Sequence, residues 1–188
     1  MKIFKYILIT LVSLVVIAAA FFAYGLYINP KSPKGMAEYN SGSTEIAIRY
    51  YRPFKKERLI FGTQEDGALV PYGQYWRLGA NLTTRLTTNT DLSFASRSLP
   101  AGSYGLYTYP YKDHWLLVVH EKTGGFSNAE PDPAAVVMKL NLPVESLPEI
   151  VEQFTIDFVE QNIRLRWDTT QVLIPFSEWE NYWKAFGP

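Results

Sequence analysis

Hydrophobic residues follow two different patterns along this chain of 188 residues. Residues 6–28 form one uncharged, mostly apolar run, whereas hydrophobic and polar residues mostly alternate beyond residue 42. At a rise of about 1.5 Å per residue, a helical run of this length would reach roughly 34 Å, enough to cross a hydrocarbon core of about 30 Å. Alternation with a period of two is typical of half-buried strands. The pattern predicts a membrane-spanning helix at residues 6–28, preceded by a cytoplasmic segment at residues 1–5 and followed by a β-rich domain.

The N-terminal run has two interpretations, an uncleaved anchor and a cleaved signal peptide. Lys2 and Lys5 would form the charged start of a signal peptide, and the alanines at 18–20 would form its cleavage site. Apolar residues continue past these alanines, although the apolar region of a signal peptide is usually only about 7 to 15 residues long, which favours the anchor. The basic residues that flank the run, including Lys31 and Lys34 after it, leave a slight positive-inside bias. We therefore expect a single-pass membrane protein whose N-terminus is cytoplasmic and whose domain lies outside the cytoplasm, on the periplasmic side of the inner membrane.

Nine segments beyond the apolar run have the composition and spacing of strands, separated by short turn sequences. Residues 29–42 are rich in Pro, Gly, Ser and charge and are predicted to form a stalk, and residues 43–188 are predicted to form one domain. Eight or nine strands with short connections predict an all-β fold, an antiparallel β-sandwich or a barrel-like sandwich. The predicted strands contain residues 46–50, 83–88, 91–95, 103–109, 114–121, 136–142, 154–158, 163–167 and 171–176.

Two segments of the predicted domain depart from simple alternation. Residues 115–119 (WLLVV) are apolar on both faces, which predicts a central strand covered on both sides. Between Ser177 and Phe186, aromatic residues recur at three- and four-residue spacing, and Ser177 is a suitable N-cap. A short C-terminal helix that docks on the sandwich is therefore predicted.

The composition excludes several kinds of site. The chain has no cysteine, which rules out disulfides, thiol nucleophiles and thiolate metal sites. Beyond residue 28 there are 16 basic and 18 acidic residues, a net charge of −2, and no basic run, so no nucleic-acid partner is expected. His114 and His120 lie on one predicted strand about 20 Å apart and cannot share a metal ion if that strand is regular. No catalytic residue, metal site or cofactor is predicted.

The most distinctive segment is residues 69–81, LVPYGQYWRLGAN. Tyr72 and Trp76 offer flat apolar faces, whereas Arg77 and Asn81 offer directional hydrogen bonds, and this mixture lines sites for sugars and other small polar ligands. The alternative is a structural role, in which Trp76 fills the sandwich, Arg77 pairs with a carboxylate and the glycines serve tight turns.

Several motifs in one order give this chain a resemblance to a known family. They are Tyr51-Arg52-Pro53, Leu59-Ile60-Phe61-Gly62, the segment 69–81, LPAGSYGLYTYP at 99–110, and a late strand from Trp167 to Pro175. Over about residues 37 to 176 the chain resembles the bacterial family called domain of unknown function 2911. The resemblance implies a secreted or envelope-associated β-rich domain without an established activity. The positions that fall on the family's signature are Arg52, Tyr72, Trp76, Arg77, Gly79, Ala80, Asn81, Pro100, Ala101, Gly102 and Tyr104.

One position departs from that resemblance. Family members often have an acidic residue directly after Gly-Ala-Asn, where this chain has Leu82. If the acid takes part in a family activity, the resemblance implies that this copy is inactive or altered.

Three hypotheses for function follow from the sequence. The first is a membrane-tethered, non-catalytic module that binds a small polar or glycan-like ligand, or an envelope partner, through Arg52, Tyr72, Trp76, Arg77 and Asn81. The second is an envelope hydrolase whose acid–base groups are carboxylates and His114, brought together by folding. The third is a purely structural envelope protein.

Overall fold

The apolar N-terminal run is helical in the structure, a computed structural model that describes residues 2–28, 31–95, 97–126 and 128–178. Helix α1 covers Lys2–Ala23 and continues as one π-helical segment over Tyr24–Ile28. The stretch Ile3–Ala23 is long and apolar enough to span a membrane, and none of its most apolar window is buried against protein. The chain therefore has an N-terminal helix whose length and composition suit a membrane anchor.

After residue 28, nearly all of the regular secondary structure in the described chain is strand. Strand ends fall where turn residues interrupt the alternation of buried and exposed positions. The strands are β1 (Lys34–Ser41), β2 (Thr44–Tyr51), β3 (Phe61–Gly62), β4 (Val70–Pro71), β5 (Thr84–Thr88), β6 (Leu92–Phe94), β7 (Arg97–Leu99), β8 (Gly102–Pro110), β9 (His114–His120), β10 (Val136–Val159), β11 (Asn162–Pro175) and β12 (Ser177–Glu178). A single 3₁₀ turn, Pro133–Ala135, precedes β10.

Seven of these strands form one curled antiparallel sheet in the order β1-β2-β5-β8-β9-β10-β11. A three-stranded sheet, β12-β6-β7, and a short parallel pair, β3-β4, accompany it. The curl brings the second half of β10 back towards β2. There the Tyr50 hydroxyl accepts a hydrogen bond from the Ile156 amide (2.8 Å) and donates one to the Ile156 carbonyl (3.1 Å). The predicted all-β class is confirmed, in the form of a half-barrel-like sandwich.

One apolar core joins the sheets. Alternate residues of β2 and β9 face it, since Ile46, Ile48 and Tyr50 are buried on one strand and Trp115, Leu117 and Val119 on the other. Strand β9 lies between β8 and β10, and Val118 on its opposite face is buried as well. The prediction of a central strand covered on both faces is therefore confirmed.

The predicted stalk is wrong over most of its length. Residues 29–42 were predicted to be a spacer, but Lys34–Ser41 is the edge strand β1, which pairs with β2 along its whole length. The alternation was hidden because an edge strand has few neighbours to cover it, and Ala37 is its one fully buried residue. The domain therefore begins directly after residue 33.

Two further expectations are corrected at the C-terminal end. Four predicted strands are the halves of two long strands, because 136–142 and 154–158 belong to β10 and 163–167 and 171–176 fall largely in β11. Irregularities in the pairing at residues 146–155 separate the halves. Ser177 does not begin a helix, since it pairs with Ser93 in β12, and the remainder of the predicted C-terminal helix, residues 179–186, lies outside the described residues.

Candidate functional site

Trp76 is a core residue that also forms part of a cleft wall. Its side chain is 7 % exposed and lies among Trp115, Phe154 and Trp167, with ring centroids 5.1 to 5.7 Å away. Its backbone exchanges two hydrogen bonds with Thr108 of β8, each 2.8 Å long. The structure therefore fixes the start of the distinctive segment rigidly against the main sheet.

The loop that follows Trp76 has a strained backbone. Leu78 (φ 55°) and Asn81 (φ 58°) occupy the left-handed region, which non-glycine residues rarely adopt. Gly79 (φ 140°) has a conformation and a location that exclude a side chain, because an added Cβ would lie 2.7 Å from the Tyr51 carbonyl oxygen. The Trp76 indole donates to the Gly79 carbonyl at 3.1 Å, and the Thr84 hydroxyl donates to the Leu78 carbonyl at 2.6 Å. Strain of this kind is concentrated at functional sites.

Arg77 is held in place without a carboxylate. Its Nη1 donates to the Asn81 carbonyl at 3.2 Å and to Asn128 Oδ1 at 3.0 Å. Both acceptors are neutral, so the charge of the guanidinium is oriented but not neutralised. The pairing with a carboxylate, which the alternative structural role of Arg77 would require, is not found among the described residues.

Three predicted site residues, Trp76, Arg77 and Asn81, line one cleft of about 590 Å³, called here the Arg77 cleft. Its apolar wall is formed by Phe54, Leu69, Val70, Trp76 and Trp167. Its basic residues are Lys31, Lys56, Arg58 and Arg77. No aspartate or glutamate of the described chain lines it. The cleft thus combines an aromatic wall with four cations.

The other cations of the Arg77 cleft also lack acidic partners. Arg58 donates from Nε to the Lys55 carbonyl at 3.1 Å and from Nη2 to the Phe54 carbonyl. The neighbouring Lys55 makes a 3.2 Å ion pair with Asp168, but Lys55 does not line the cleft. Among the described residues, no carboxylate oxygen lies within 4 Å of a side-chain nitrogen of Lys31, Lys56, Arg58 or Arg77. The cleft therefore presents positive charge that the described residues leave unpaired.

Two predicted site residues lie elsewhere. Arg52 donates from Nε to the Phe154 carbonyl at 3.3 Å and from Nη2 to Thr155 Oγ1 at 3.0 Å, which ties the end of β2 to β10. Tyr72 is half-buried beside the β3–β4 pair, where its amide donates to the Gly62 carbonyl at 2.8 Å. Neither side chain lines the Arg77 cleft.

A second cleft, of about 500 Å³, lies on the outward face of β1, β2 and β5 and is called here the Arg49 groove. Its basic residues are Lys34, Arg49 and Arg85, and no acidic residue of the described chain lines it. Leu82, the position that departs from the family pattern, lines this groove and bridges Phe126. Sequence reasoning missed Lys31, Lys56 and Arg58 of the first cleft and the basic residues of this groove because they come from separate segments.

The two histidines lie in different environments, one at an exposed turn and one in the interior. His114 lies at the β8–β9 turn, where its Nδ1 is 2.8 Å from Asp113 Oδ1 and its ring stacks on Tyr111. It lines neither the Arg77 cleft nor the Arg49 groove. His120 is 2 % exposed, its Nδ1 has no partner among the described residues, and burial, with a smaller effect of Lys122, lowers its pKa to about 4. Within the described part of the chain, no group of three or more His, Cys, Asp and Glu is placed to hold a metal ion.

The fold and the clefts define an all-β domain behind an N-terminal apolar helix. The family profile described as "Protein of unknown function (DUF2911)" matches residues 32–176, so the chain belongs to the DUF2911 family. The resemblance stated from the sequence motifs is confirmed, and the match begins before β1, in agreement with the revised start of the domain. No match to the chain was found among curated proteins or among solved structures.

Proposed function

We propose that this protein is a membrane-anchored, non-catalytic binding module whose Arg77 cleft holds a small, negatively charged polar or glycan-like ligand. In this proposal α1 remains uncleaved, the N-terminus is cytoplasmic and the domain lies on the periplasmic side of the inner membrane. The observation that carries the proposal is the lining of the cleft, to which the described residues contribute four cations, an aromatic wall and no carboxylate.

The arrangement of the cations supports binding over a purely structural role. Structural arginines usually pair with carboxylates, and an unpaired charge is costly where it is partly buried, as it is at Arg77. Lys31, Lys56 and Arg58 are exposed and add positive charge at the mouth of the cleft. Arg58 and Arg77 are oriented by neutral carbonyl and amide oxygens, and in the part of the chain that the structure describes their further N–H donors meet no acidic group. Such guanidinium groups suit carboxylates and phosphates, which they can bind with two parallel hydrogen bonds.

The apolar wall of the cleft suits a ligand that has an apolar face as well as anionic groups. Phe54 and Trp76 line the cleft beside the cations, and Trp76 is held from behind by the buried Trp167. Flat aromatic faces pack against the apolar faces of sugar rings, while the rim groups bind the polar substituents. We therefore assign the wall of the site to Phe54 and the exposed part of Trp76. Arg58, Arg77 and Lys56 bind the anionic groups of the ligand, and Arg52 and Tyr72 make no direct contact with it.

Calorimetric titration of the full chain in nanodiscs of neutral lipid tests this proposal. Trigalacturonic acid serves as the anionic probe and maltotriose as the neutral one. We expect the acidic trisaccharide to bind at least tenfold more tightly, and the double variant Lys56→Gln/Arg58→Gln to lose that preference. The control variant Lys112→Gln/Lys139→Gln removes two exposed lysines outside the cleft and should bind as the wild type does. Equal binding of both sugars, or binding unchanged by the cleft variant, would contradict the proposal.

A further inference from the structure

The Arg49 groove places like charges directly opposite each other on one face of the main sheet. Arg49 of β2 pairs in register with Arg85 of β5 and, on its other side, with Met36 of β1. Lys34 lies two residues before Met36, on the same face. Like charges on directly opposed strand positions destabilise a sheet. The protein therefore maintains an unfavourable cluster that a bound anion would relieve.

The described neighbours do not neutralise this cluster. Arg85 donates from Nε (2.9 Å) and Nη2 (2.7 Å) to the Thr123 carbonyl, which orients its guanidinium without cancelling its charge. Arg49 is exposed, and within the described chain neither it nor Lys34 has an acidic group within 4 Å. Besides its three basic residues, the described lining of the groove consists of glycines, Met36, Leu82, Thr83, Thr123 and the tyrosines of β2.

The position of the groove relates it to the membrane anchor. Lys34 follows the last helical residue, Ile28, by six positions, and a fully extended chain of that length spans about 22 Å at most. On the same side, Phe21 and Phe22 of the helix share a third cleft with Lys31 and Arg77 of the domain, and no acidic residue of the described chain lines that cleft either. The cationic surface thus lies where the domain meets the end of α1.

We propose that the Arg49 groove docks the domain onto the anionic lipid headgroups of the bilayer that α1 spans. Lys34, Arg49 and Arg85 contact headgroup phosphates, and Met36 and Leu82 pack against the interface between them. Basic residues next to a membrane helix are attracted to negatively charged leaflets over about one Debye length, roughly 8 Å at physiological salt. This inference rests on the anchored topology of the proposed function but not on ligand binding in the Arg77 cleft. Docking holds the domain in one orientation relative to the bilayer.

The absence of cysteine from the sequence allows a single label to report on docking. Met36→Cys places a fluorophore at the groove, and Asn141→Cys places it on β10, five strands away along the curled sheet and beside Arg97. The full chain is reconstituted into vesicles that carry a headgroup-labelled acceptor lipid, and flotation first verifies that α1 inserts. Energy transfer from each label is then compared in vesicles of phosphatidylcholine alone and in vesicles of phosphatidylcholine mixed with phosphatidylglycerol, an anionic lipid.

We expect transfer from the Met36 label to rise at least twofold in anionic vesicles and to fall again in 1 M salt, while the Asn141 label changes little. Lys34→Gln/Arg49→Gln should abolish the rise, and Lys112→Gln/Lys139→Gln should preserve it. Equal transfer in neutral and anionic vesicles would overturn the proposal. Loss of the rise on addition of 10 mM glycerol phosphate would also overturn it, because the groove would then be a site for a small soluble anion. Sugar binding by the Lys34→Gln/Arg49→Gln variant, measured separately, distinguishes failure of docking from failure of the Arg77 cleft.

Discussion

At the scale of single residues, the signature tryptophan combines two roles that sequence reasoning treated as alternatives. Trp76 is buried among aromatic rings, yet one side of it lines the Arg77 cleft. Its indole N–H is satisfied by the Gly79 carbonyl, whereas the indole N–H of Trp167 is buried and has no acceptor among the described residues. The two indoles stack with centroids 5.7 Å apart, so they form a matched pair for substitution.

The pair gives a stability prediction. Trp76→Phe removes a buried hydrogen bond and leaves the Gly79 carbonyl without its indole donor, whereas Trp167→Phe removes a similar volume without loss of a hydrogen bond. Because an unsatisfied buried polar group costs about 1–3 kcal/mol, Trp76→Phe should lower the free energy of unfolding by about that much more than Trp167→Phe. Denaturant unfolding in one detergent measures the difference. Equal destabilisation would mean that the indole hydrogen bond does not stabilise the loop.

His120 gives a prediction about pH. Burial, with a smaller contribution from Lys122, lowers its pKa from about 6.5 to about 4 in the folded protein. Between these values the unfolded chain binds a proton that the folded protein does not, so stability should fall as pH falls from about 6.5 to about 4, by about 3 kcal/mol at most. In His120→Asn this decline should disappear, and in His114→Asn, which retains His120, it should persist. Urea unfolding at half-unit pH steps measures it, and a decline that survives in His120→Asn would refute the assignment.

At the scale of elements, the long hairpin of β10 and β11 has a charged cluster on its partly exposed face. Asp157 accepts two hydrogen bonds from Arg164 (2.8 and 2.9 Å) and one from Arg166 (2.6 Å). Burial alone would raise the pKa of Asp157, but the two arginines outweigh it and hold that pKa below its ordinary value. The cluster fixes the register of the hairpin next to the irregular pairing at residues 151–155.

Asp157→Asn should therefore destabilise the protein in a way that depends on pH. A carboxyl with a lowered folded pKa stabilises fully above its ordinary pKa, near 4, and loses that contribution as pH falls through the folded value. The variant should be less stable than the wild type by about 1–2 kcal/mol at pH 7, and the difference should shrink below pH 4. Glu149→Gln, an exposed position on the same strand, is the control and should cost little at either pH. A difference that stays constant down to pH 2 would show that the ion pairs do not contribute.

The elements also show why sequence reasoning succeeded in part. Strands with alternating burial, such as β2 and β5, were predicted because one face packs on the core and the pattern records it. Strand β1 was missed because pairing to β2 through backbone groups leaves little trace in side chains such as Lys34, Glu38 and Asn40. Arg77 and Asn81 were recognised because they share one short motif. Lys31, Lys56 and Arg58 come from other segments, and only tertiary structure brings them to the same cleft.

At the scale of the whole molecule, charge is balanced in number but not in position. The chain has 18 basic and 18 acidic residues, yet seven basic residues and no acidic one of the described chain line the Arg77 cleft and the Arg49 groove. Both sites lie near the start of the domain, where Lys31 and Lys34 follow the apolar helix. Composition alone gave no reason to expect an anionic partner, since the opposite charges cancel in the total. This uneven distribution of charge arises from the fold, and it supports the proposal that the protein binds anions next to a membrane.

An experimental structure of the full chain with trigalacturonic acid would show whether the Arg77 cleft binds an anionic glycan-like ligand. We expect at least one carboxylate of the sugar to lie within hydrogen-bonding distance of Arg58 or Arg77, with a sugar ring against Phe54 or Trp76. A sugar bound in the Arg49 groove, or one whose carboxylates face solvent away from these arginines, would contradict the account.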